Sequence, residues 1–365
     1  MTGNPIASTG VRLAWTLSRR GLAPLLLAAL LLAPGYCRAD VAVLEDEKYQ
    51  KSFDTAIDRA LAYLAQAQMP DGSFPGGMPQ NTAVASLSVM AFLARGYSPG
   101  LPPYGDTINR GVDFVLSAQA ADGTIIGPGG GQMYSHNIST LMLAEVSGMV
   151  DPERQKRVDE CLAKALRVIL AAQDVAKGEA NQGGWRYAPN ATDSDISQSG
   201  WALMALRAAR NNGAAVPKEA IDRAVRFVMR CHSPQDGGFC YTPGSGSGLA
   251  RTGVGLLCLE LSGKHRDEVT LKAGEYIATR FKAGWQGEIV YYCLYYCSQG
   301  MFQLGGEEWQ KFAPELYDAI LQMQGPDGSW PSRNGNENSA GSCYCTSMAV
   351  LALSVSYRQL PIYQR

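Results

Sequence analysis

Two kinds of helical pattern alternate along the chain. The first is amphipathic: in residues 220–230, apolar residues recur from Ile221 to Val228 at the i, i+3, i+4, i+7 spacing of one helix face. The second is apolar on every side, as in residues 342–354, which is typical of helices buried in a protein interior. Strand patterns are nearly absent. The alternation therefore predicts an all-α protein built from outer and inner helices.

A short turn motif follows the amphipathic patterns. Its clearest copies are "QMPDGSF" at residues 68–74 and "QGPDGSW" at residues 324–330. Weaker copies lie at residues 119–125, 181–185, 234–239 and 282–285. Asp-Gly permits the left-handed turn that ends a helix. The Gln can bond backbone groups left free at the next helix terminus, with the aromatic ring covering it. The motif is therefore predicted to clamp helices together.

The spacing of Gln, Gly and Trp or Phe in these turns resembles the QW repeats of squalene cyclases. Gln324, Gly328 and Trp330 show it most clearly. The chain after residue 50 resembles the prenyltransferase and squalene-oxidase repeat family. That resemblance implies an α/α (α6–α6) toroid of about twelve helices in six repeats, in which inner helices ring a cavity. Residues 40–365 would form this single domain.

The N-terminus has the pattern of an export signal. Arg19 and Arg20 precede the apolar run of residues 21–34, and small residues stand at Cys37 and Ala39. This predicts a signal peptide over residues 1–39 and a periplasmic or extracellular protein. "SRRGLA" weakly resembles a twin-arginine signal, so the export route stays open. An uncleaved anchor is the alternative, although the run is short and contains proline.

Charge and cysteine content narrow the classes of partner. The formal net charge of the 365 residues is -1, which gives no electrostatic attraction to nucleic acid or to an anionic membrane. Of the nine cysteines, Cys37 falls within the predicted signal peptide, so eight remain. An oxidising compartment would permit disulfides, but the sequence cannot choose their pairing. Small buried residues, with room for one or two disulfides among them, are favoured over a four-thiolate metal site.

Two aspartates at the start of one inner helix are the candidate catalytic residues. Asp193 and Asp195 resemble the Asp-x-Asp-Asp motif of class II terpene cyclases, in which a carboxylic acid protonates an alkene or epoxide. That resemblance makes Asp195 the acid and Asp193 its neighbour. However, Ile196 stands in the third acidic place, and those cyclases combine two helical domains. The favoured alternative is an N-cap role for Asp195, so that Asp195→Asn retains stability and Asp195→Ala loses about 1 kcal/mol.

No metal or cofactor is expected. Protein prenyltransferase β subunits, the related single toroids, hold zinc with Asp, Cys and His. The segment "IVYYCLYY" keeps the cysteine as Cys293, but Tyr291 stands where Asp is required. Gly341 stands where His is required. Two of the three ligands are therefore replaced, which argues against a zinc prenyltransferase.

Several inner-helix starts carry aromatic or polar side chains that could bind a substrate: Tyr134, His136, Arg251, Tyr291, Tyr292 and Tyr344. A lone His136 is more often a capping or hydrogen-bonded surface group than a ligand. Tyr291 and Tyr292 each begin an i, i+4 tyrosine pair, of which one can face a cavity and the other must pack outward. Aromatic walls suit an isoprenoid ligand and equally suit plain core.

Three functions remain open at this point. The first is a cavity protein that binds an apolar, isoprenoid-class ligand, with or without cyclase chemistry. The second is a noncatalytic extracytoplasmic scaffold for a protein partner. The third is a carbohydrate-active toroid with paired carboxylates. Cavity polarity distinguishes the first from the third. The Gly-rich residues 333–342 could form a lid or a partner loop, although an ordinary loop is favoured.

Overall fold

The computed structural model describes residues 47–76 and 80–364. The predicted signal peptide, residues 1–39, lies outside this part of the chain. Thirteen α-helices occur in the described residues: α1 (Glu47–Ala67), α2 (Thr82–Ala94), α3 (Gly105–Ser117), α4 (Gln132–Val146), α5 (Pro152–Asp174), α6 (Ile196–Asn211), α7 (Lys218–Arg230), α8 (Leu249–Leu261), α9 (Glu268–Gly284), α10 (Val290–Leu304), α11 (Gly306–Leu321), α12 (Gly335–Ala340) and α13 (Ser342–Leu353). The strands β1 (Phe239–Cys240) and β2 (Ser247–Gly248) form a small antiparallel hairpin.

Six of these helices close into an inner ring. The pairs α2–α4, α4–α6, α6–α8, α8–α10 and α10–α13 are in contact, and α13 returns to α2. The helices α1, α3, α5, α7, α9 and α11 form an outer layer, each packed against an inner helix. The predicted all-α α6–α6 toroid is therefore confirmed. The thirteenth helix is the short α12, which lies within residues 333–342.

Burial follows the two sequence patterns. In α2 nearly every residue is buried, because inner helices contact the ring on one side and the outer layer on the other. In α7 only one stripe is buried, which includes Ile221, Ala224, Phe227 and Val228. The fully apolar pattern of residues 342–354 coincides with the inner helix α13, which begins at Ser342.

The turn motif joins outer helices to each other. The side-chain amide of Gln68 donates to Gly72 O in its own turn (3.2 Å) and to Thr107 O of α3 (2.9 Å). Gln119 makes the same pair of bonds, to Gly123 O (3.1 Å) and Cys161 O of α5 (2.9 Å). The predicted clamp exists, but its far partner is a carbonyl of the next outer helix, not a free group at an inner-helix terminus.

A close backbone approach explains the turn glycines. Gly328 has φ +89°, and a Cβ atom there would lie 2.6 Å from the carbonyl oxygen of Arg59 in α1. Gly72 has φ +87°, and a Cβ atom there would lie 2.2 Å from the carbonyl oxygen of Arg110 in α3. Glycine is required at these turns because both the left-handed conformation and the contact exclude a side chain.

The eight cysteines of the described residues are all buried free thiols. None of the described helices has the length and apolar character needed to cross a membrane.

Candidate functional site

A cavity of about 470 Å³ opens where the six inner helices begin. All six contribute to its wall, which is formed by Asn81, Ala83, Val84, Gly131, Tyr134, Ser135, Ile138, Tyr187, Ser197, Trp201, Tyr241, Ala250, Arg251, Glu288, Ile289, Tyr292, Glu337, Ala340 and Tyr344. Five tyrosines and one tryptophan are in this set. The wall is therefore largely aromatic and apolar, with a few polar groups that could orient a ligand.

The base of the cavity rests on a buried aromatic stack. The Trp201 ring lies parallel to the Tyr295 ring, with centroids 5.6 Å apart and planes 10° apart. The Tyr295 hydroxyl makes a hydrogen bond with the hydroxyl of Tyr363, in the C-terminal segment. Gln303 donates to Tyr363 O at 3.0 Å and fixes that segment. The C-terminal segment therefore supports the ring from the side opposite the cavity mouth.

Two glutamates line the cavity, and both carboxylates are engaged. Glu288 Oε1 accepts from Leu249 N at the start of α8 (3.0 Å). Glu337 Oε1 accepts from Tyr291 N at the start of α10 (2.9 Å), and its Oε2 accepts from Arg333 N (2.9 Å). A carboxylate at a helix N-terminus is stabilised by the free N–H groups and the helix dipole. Each glutamate therefore anchors an inner helix.

Asp195 is the N-cap of α6. Its Oδ1 accepts from Gln198 N at 2.9 Å, and its Oδ2 pairs with the guanidinium of Arg186 at 3.0 Å. Burial raises the pKa of this carboxyl, while the bonds from Gln198 and Arg186 act in the opposite direction. Asp195 is not among the residues of the cavity wall. The same Arg186 pairs through Nε with Asp193, whose side chain is 57% exposed, at 3.1 Å.

Arg186 connects this acidic pair to the wall. Its guanidinium carbon lies 4.6 Å from the ring centroid of Tyr187 and 5.2 Å from that of Tyr241. It also donates to the Tyr241 hydroxyl at 2.8 Å, and the two tyrosine hydroxyls are hydrogen-bonded to each other. Asp195 therefore positions, through Arg186, two aromatic rings that the cavity exposes.

His136 lies in the core, not at the surface. Its Nδ1 accepts from Ile125 N (3.1 Å), so Nε2 carries the proton and donates to Ala165 O (3.1 Å). Burial lowers the pKa of this imidazole to about 4. In other repeats a hydroxyl takes the place of Nδ1: Ser199 accepts from Trp185 N and Thr346 from Trp330 N. His136 is therefore part of the repeat clamp.

The predicted site residues divide into two groups. Tyr134, Arg251, Tyr292 and Tyr344 line the cavity. The others do not: Asp193, Asp195, His136 and Tyr291. The Tyr291 hydroxyl donates instead to Pro331 O at 2.8 Å.

Sequence reasoning missed Tyr187, Tyr241, Trp201, Glu288 and Glu337. The spacing from the turn aromatic residue could have identified Tyr187 and Tyr241. Tyr187 follows the turn aromatic Trp185 by two residues, and Tyr241 follows Phe239 by two. Alternate residues of an extended segment point to the same side.

Two cysteines of α10 face each other, one of them, Cys293, at the position where prenyltransferase β subunits have a zinc ligand. Cys293 Sγ lies 3.9 Å from Cys297 Sγ in the buried part of α10. Within residues 47–76 and 80–364, no three His, Cys, Asp or Glu side chains converge as a metal-binding group.

Comparison with known proteins identifies the family. A family model described as the prenyltransferase alpha-alpha toroid domain matches residues 36–289 and 290–362. Drimenyl diphosphate synthase of Streptomyces showdoensis is 26% identical over 189 residues, which cover 52% of this chain and 33% of that protein. The chain thus matches about a third of the length of that relative.

Two classes of solved structure share the fold. A variant of the type II terpene cyclase MstE from Scytonema, in complex with the substrate geranylgeranyl dihydroxybenzoate, has a TM-score of 0.52 at 16% identity, covering 86% of this chain and 99% of its own. A family 76 glycoside hydrolase from a bovine Bacteroides thetaiotaomicron strain has a TM-score of 0.60 at 11% identity, covering 85% and 78%. Such low identities establish the fold alone. On the family match, the chain belongs to the prenyltransferase alpha-alpha toroid family, as the QW-like turns predicted.

Proposed function

We propose that this toroid binds an apolar, isoprenoid-class ligand in its central cavity. The observation that carries the proposal is the wall itself, where five tyrosines, Trp201 and aliphatic side chains enclose about 470 Å³. Small-molecule pockets measure roughly 300–1,000 Å³ and are mainly apolar. The isoprenoid substrate bound by MstE, a protein of similar fold, supports the same class of ligand.

A carbohydrate-active function has weaker support. It is favoured by the shared fold with glycosidases and by the presence of Glu288 and Glu337 in the wall. A glycosidase needs one carboxyl free to donate a proton and a second free to act as base or nucleophile. Here both carboxylates accept backbone N–H groups of inner helices. We therefore favour a structural role for the two glutamates.

The same proposal assigns Asp195 a positioning role. A general acid must reach the atom that it protonates. Asp195 lies behind the wall, where it caps α6 and pairs with Arg186. A noncatalytic scaffold that presents this site to a protein partner remains the second candidate, and turnover of an isoprenoid would exclude it. Export of the chain through residues 1–39 is part of the proposal, and cell fractionation of the full chain tests it.

Ligand titration tests the binding function. The purified protein is titrated with farnesol and, separately, with maltose, by calorimetry. We expect saturable binding of farnesol and none of maltose. Ile289, 38% exposed at the cavity mouth, and Leu101, 61% exposed elsewhere, offer a matched pair of variants. Ile289→Arg should weaken farnesol binding about tenfold, because a charge at the mouth must be desolvated, and Leu101→Arg should not. Binding of maltose alone would favour the carbohydrate function.

A further inference from the structure

Three polar groups in or directly behind the cavity wall have no hydrogen-bond partner of ordinary geometry. They are the indole N–H of Trp201 and the hydroxyls of Tyr292 and Tyr296. Trp201 is 1% exposed and Tyr296 is fully buried. Trp201 and Tyr292 belong to the cavity wall. We call these three side chains the inner polar patch.

The patch is contiguous. The rings of Trp201 and Tyr296 meet edge to face, with centroids 5.4 Å apart, and the rings of Tyr292 and Tyr296 lie 4.7 Å apart. Burial raises the pKa of the Tyr292 hydroxyl well above its usual range, although the nearby Ser197 and Tyr296 hydroxyls moderate the rise. All three groups are therefore neutral at physiological pH.

Unpaired buried donors are costly. Each destabilises a folded protein, and most buried polar groups have a partner. The other two tyrosines at the start of α10 obey this rule: Tyr291 donates to Pro331 O and Tyr295 bonds with Tyr363. Neither of these two lines the cavity. Among the tyrosines of α10, the hydroxyls without such a partner belong to the one that lines the cavity and the one in contact with it.

The inner part of the patch lies away from the charged mouth. Trp201 stands five residues beyond Ile196, the first residue of α6, and Tyr296 stands six residues beyond Val290, the first residue of α10, which places both roughly 8–9 Å along their helices. Tyr292 and Arg251 are each the third residue of their helix, and Arg251 is the one Lys or Arg among the described residues of the wall. An ionised group beside Trp201 would therefore have no wall cation at its own depth, and Tyr292 belongs to the patch through its ring contact with Tyr296.

We propose that the ligand carries a neutral oxygen, a hydroxyl or a carbonyl, at the end that enters the cavity first. The indole N–H can only donate, so its partner must be an acceptor. The Tyr292 hydroxyl donates to the same oxygen or accepts from it. This inference rests on the proposed function and narrows it to oxygenated isoprenoids held with their oxygen innermost.

A matched pair of probes tests the inference on the purified protein. Farnesol and farnesene share a chain of the same length, but only farnesol has an oxygen. We expect wild type to bind farnesol at least tenfold more tightly than farnesene. Tyr292→Phe and Trp201→Phe should each reduce that ratio to about threefold or less. Tyr317→Phe, which removes a buried unpartnered hydroxyl of the outer helix α11 away from the cavity wall, should preserve it.

A second measurement needs no ligand. Tyr292→Phe removes a buried hydroxyl that has no partner of ordinary geometry, so the free protein should melt at an equal or higher temperature than wild type; a lower melting temperature would show that the hydroxyl is already satisfied, against the inference. Equal affinities for farnesol and farnesene would mean that water alone occupies the patch, and the inference would be wrong while the proposed function stood. A farnesol preference that survives both patch variants would place the oxygen elsewhere. Failure of both probes to bind would reject the proposed function as well.

Discussion

Gln324 joins the last outer helix to the first. Its side-chain amide donates to Ala56 O of α1 at 2.8 Å and to Gly328 O of its own turn at 2.9 Å. Arg59, one turn after Ala56, donates to Gln324 Oε1 at 3.4 Å. The Gln324 side chain therefore connects two segments that are 268 positions apart in the sequence, and its hydrogen bonds close the outer layer of the toroid.

Loss of this closure should lower stability. Gln324→Leu keeps the bulk of the side chain but leaves carbonyls of both segments without their amide donor. We expect the free energy of unfolding to fall by about 1–3 kcal/mol, measured by urea denaturation. Gln322→Leu, a substitution at an exposed glutamine in the same turn region, is the control and should be nearly neutral. Equal losses in both variants would show that the closing bonds add nothing specific.

The junction between α7 and α9 lacks this glutamine. His232 occupies the equivalent position. The residue after it, Ser233, donates its N–H to Gly238 O, just as Met69, the residue after Gln68, donates its N–H to Ser73 O. The buried Nε2 of His232 has no partner. A Cβ at Gly237 would lie 3.1 Å from Lys272 O, so the turn approaches α9 in the usual way.

We therefore expect His232→Gln to stabilise the protein. In the junctions that have the glutamine, its amide bonds a carbonyl three residues before the carbonyl that faces the turn glycine. At the junction of α7 and α9 the turn glycine faces Lys272 O, so the expected acceptor is Val269 O. The new bonds should add about 0.5–1.5 kcal/mol to the free energy of unfolding. His232→Ala, which removes the ring without supplying an amide, is the comparison in thermal melts. A glutamine variant no more stable than the alanine variant would contradict the assignment.

Asp195 has two oxygens with different partners, and this changes the expected effect of asparagine. Asn keeps an acceptor for Gln198 N but puts an uncharged group against Arg186, which then retains Asp193 as its carboxylate partner. We expect Asp195→Asn to lose about 1 kcal/mol and Asp195→Ala about 2–3 kcal/mol. The sequence predicts a nearly neutral effect of asparagine on stability because the ion pair with Arg186 cannot be read from the sequence.

Ligand binding separates positioning from acid chemistry at Asp195. Because Arg186 holds Tyr187 and Tyr241, both variants should also weaken farnesol binding severalfold. If wild type instead converts an isoprenoid substrate, and Asp195→Asn binds that substrate normally without converting it, Asp195 is the acid and the positioning role is wrong.

Glu145 predicts a pH dependence of stability. Burial raises the pKa of its carboxyl to about 8; Oε2 accepts from Ile362 N at 3.2 Å, and Oε1 has no partner. The folded state therefore binds a proton that the unfolded state releases near pH 4.5. Stability from this group should fall as pH rises from about 4.5 to about 8 and then level off.

Glu145→Gln should remove that slope. The amide keeps an oxygen for Ile362 N and never ionises, so the variant should exceed wild type at pH 8 by on the order of 1–3 kcal/mol and match it near pH 5. Urea denaturation at both pH values measures the difference. A constant offset between the two proteins would show that Glu145 does not titrate in this range.

The sequence by itself determined the architecture. Alternating amphipathic and fully apolar helices fix which helix is outer and which inner, because burial depends on local periodicity. The QW-like turns fix the pairing, since the Gly conformation and the Gln amide are local requirements. The third turn shows the limit of that reasoning. Its motif was found at residues 181–185, yet the bridging amide belongs to Gln173, at the end of α5, which bonds Gly183 O and Ala220 O at 2.9 Å each.

The location of the cavity could be determined only from the tertiary structure. Its wall combines residues as distant in sequence as Asn81 and Tyr344, and closure of the ring is what brings them together. The roles of His136 and Asp195 were open in sequence because an imidazole or a carboxylate suits catalysis and capping equally. The partners that the structure shows are Ile125 N and Ala165 O for His136 and Arg186 for Asp195, and they lie on segments that only folding places beside these side chains.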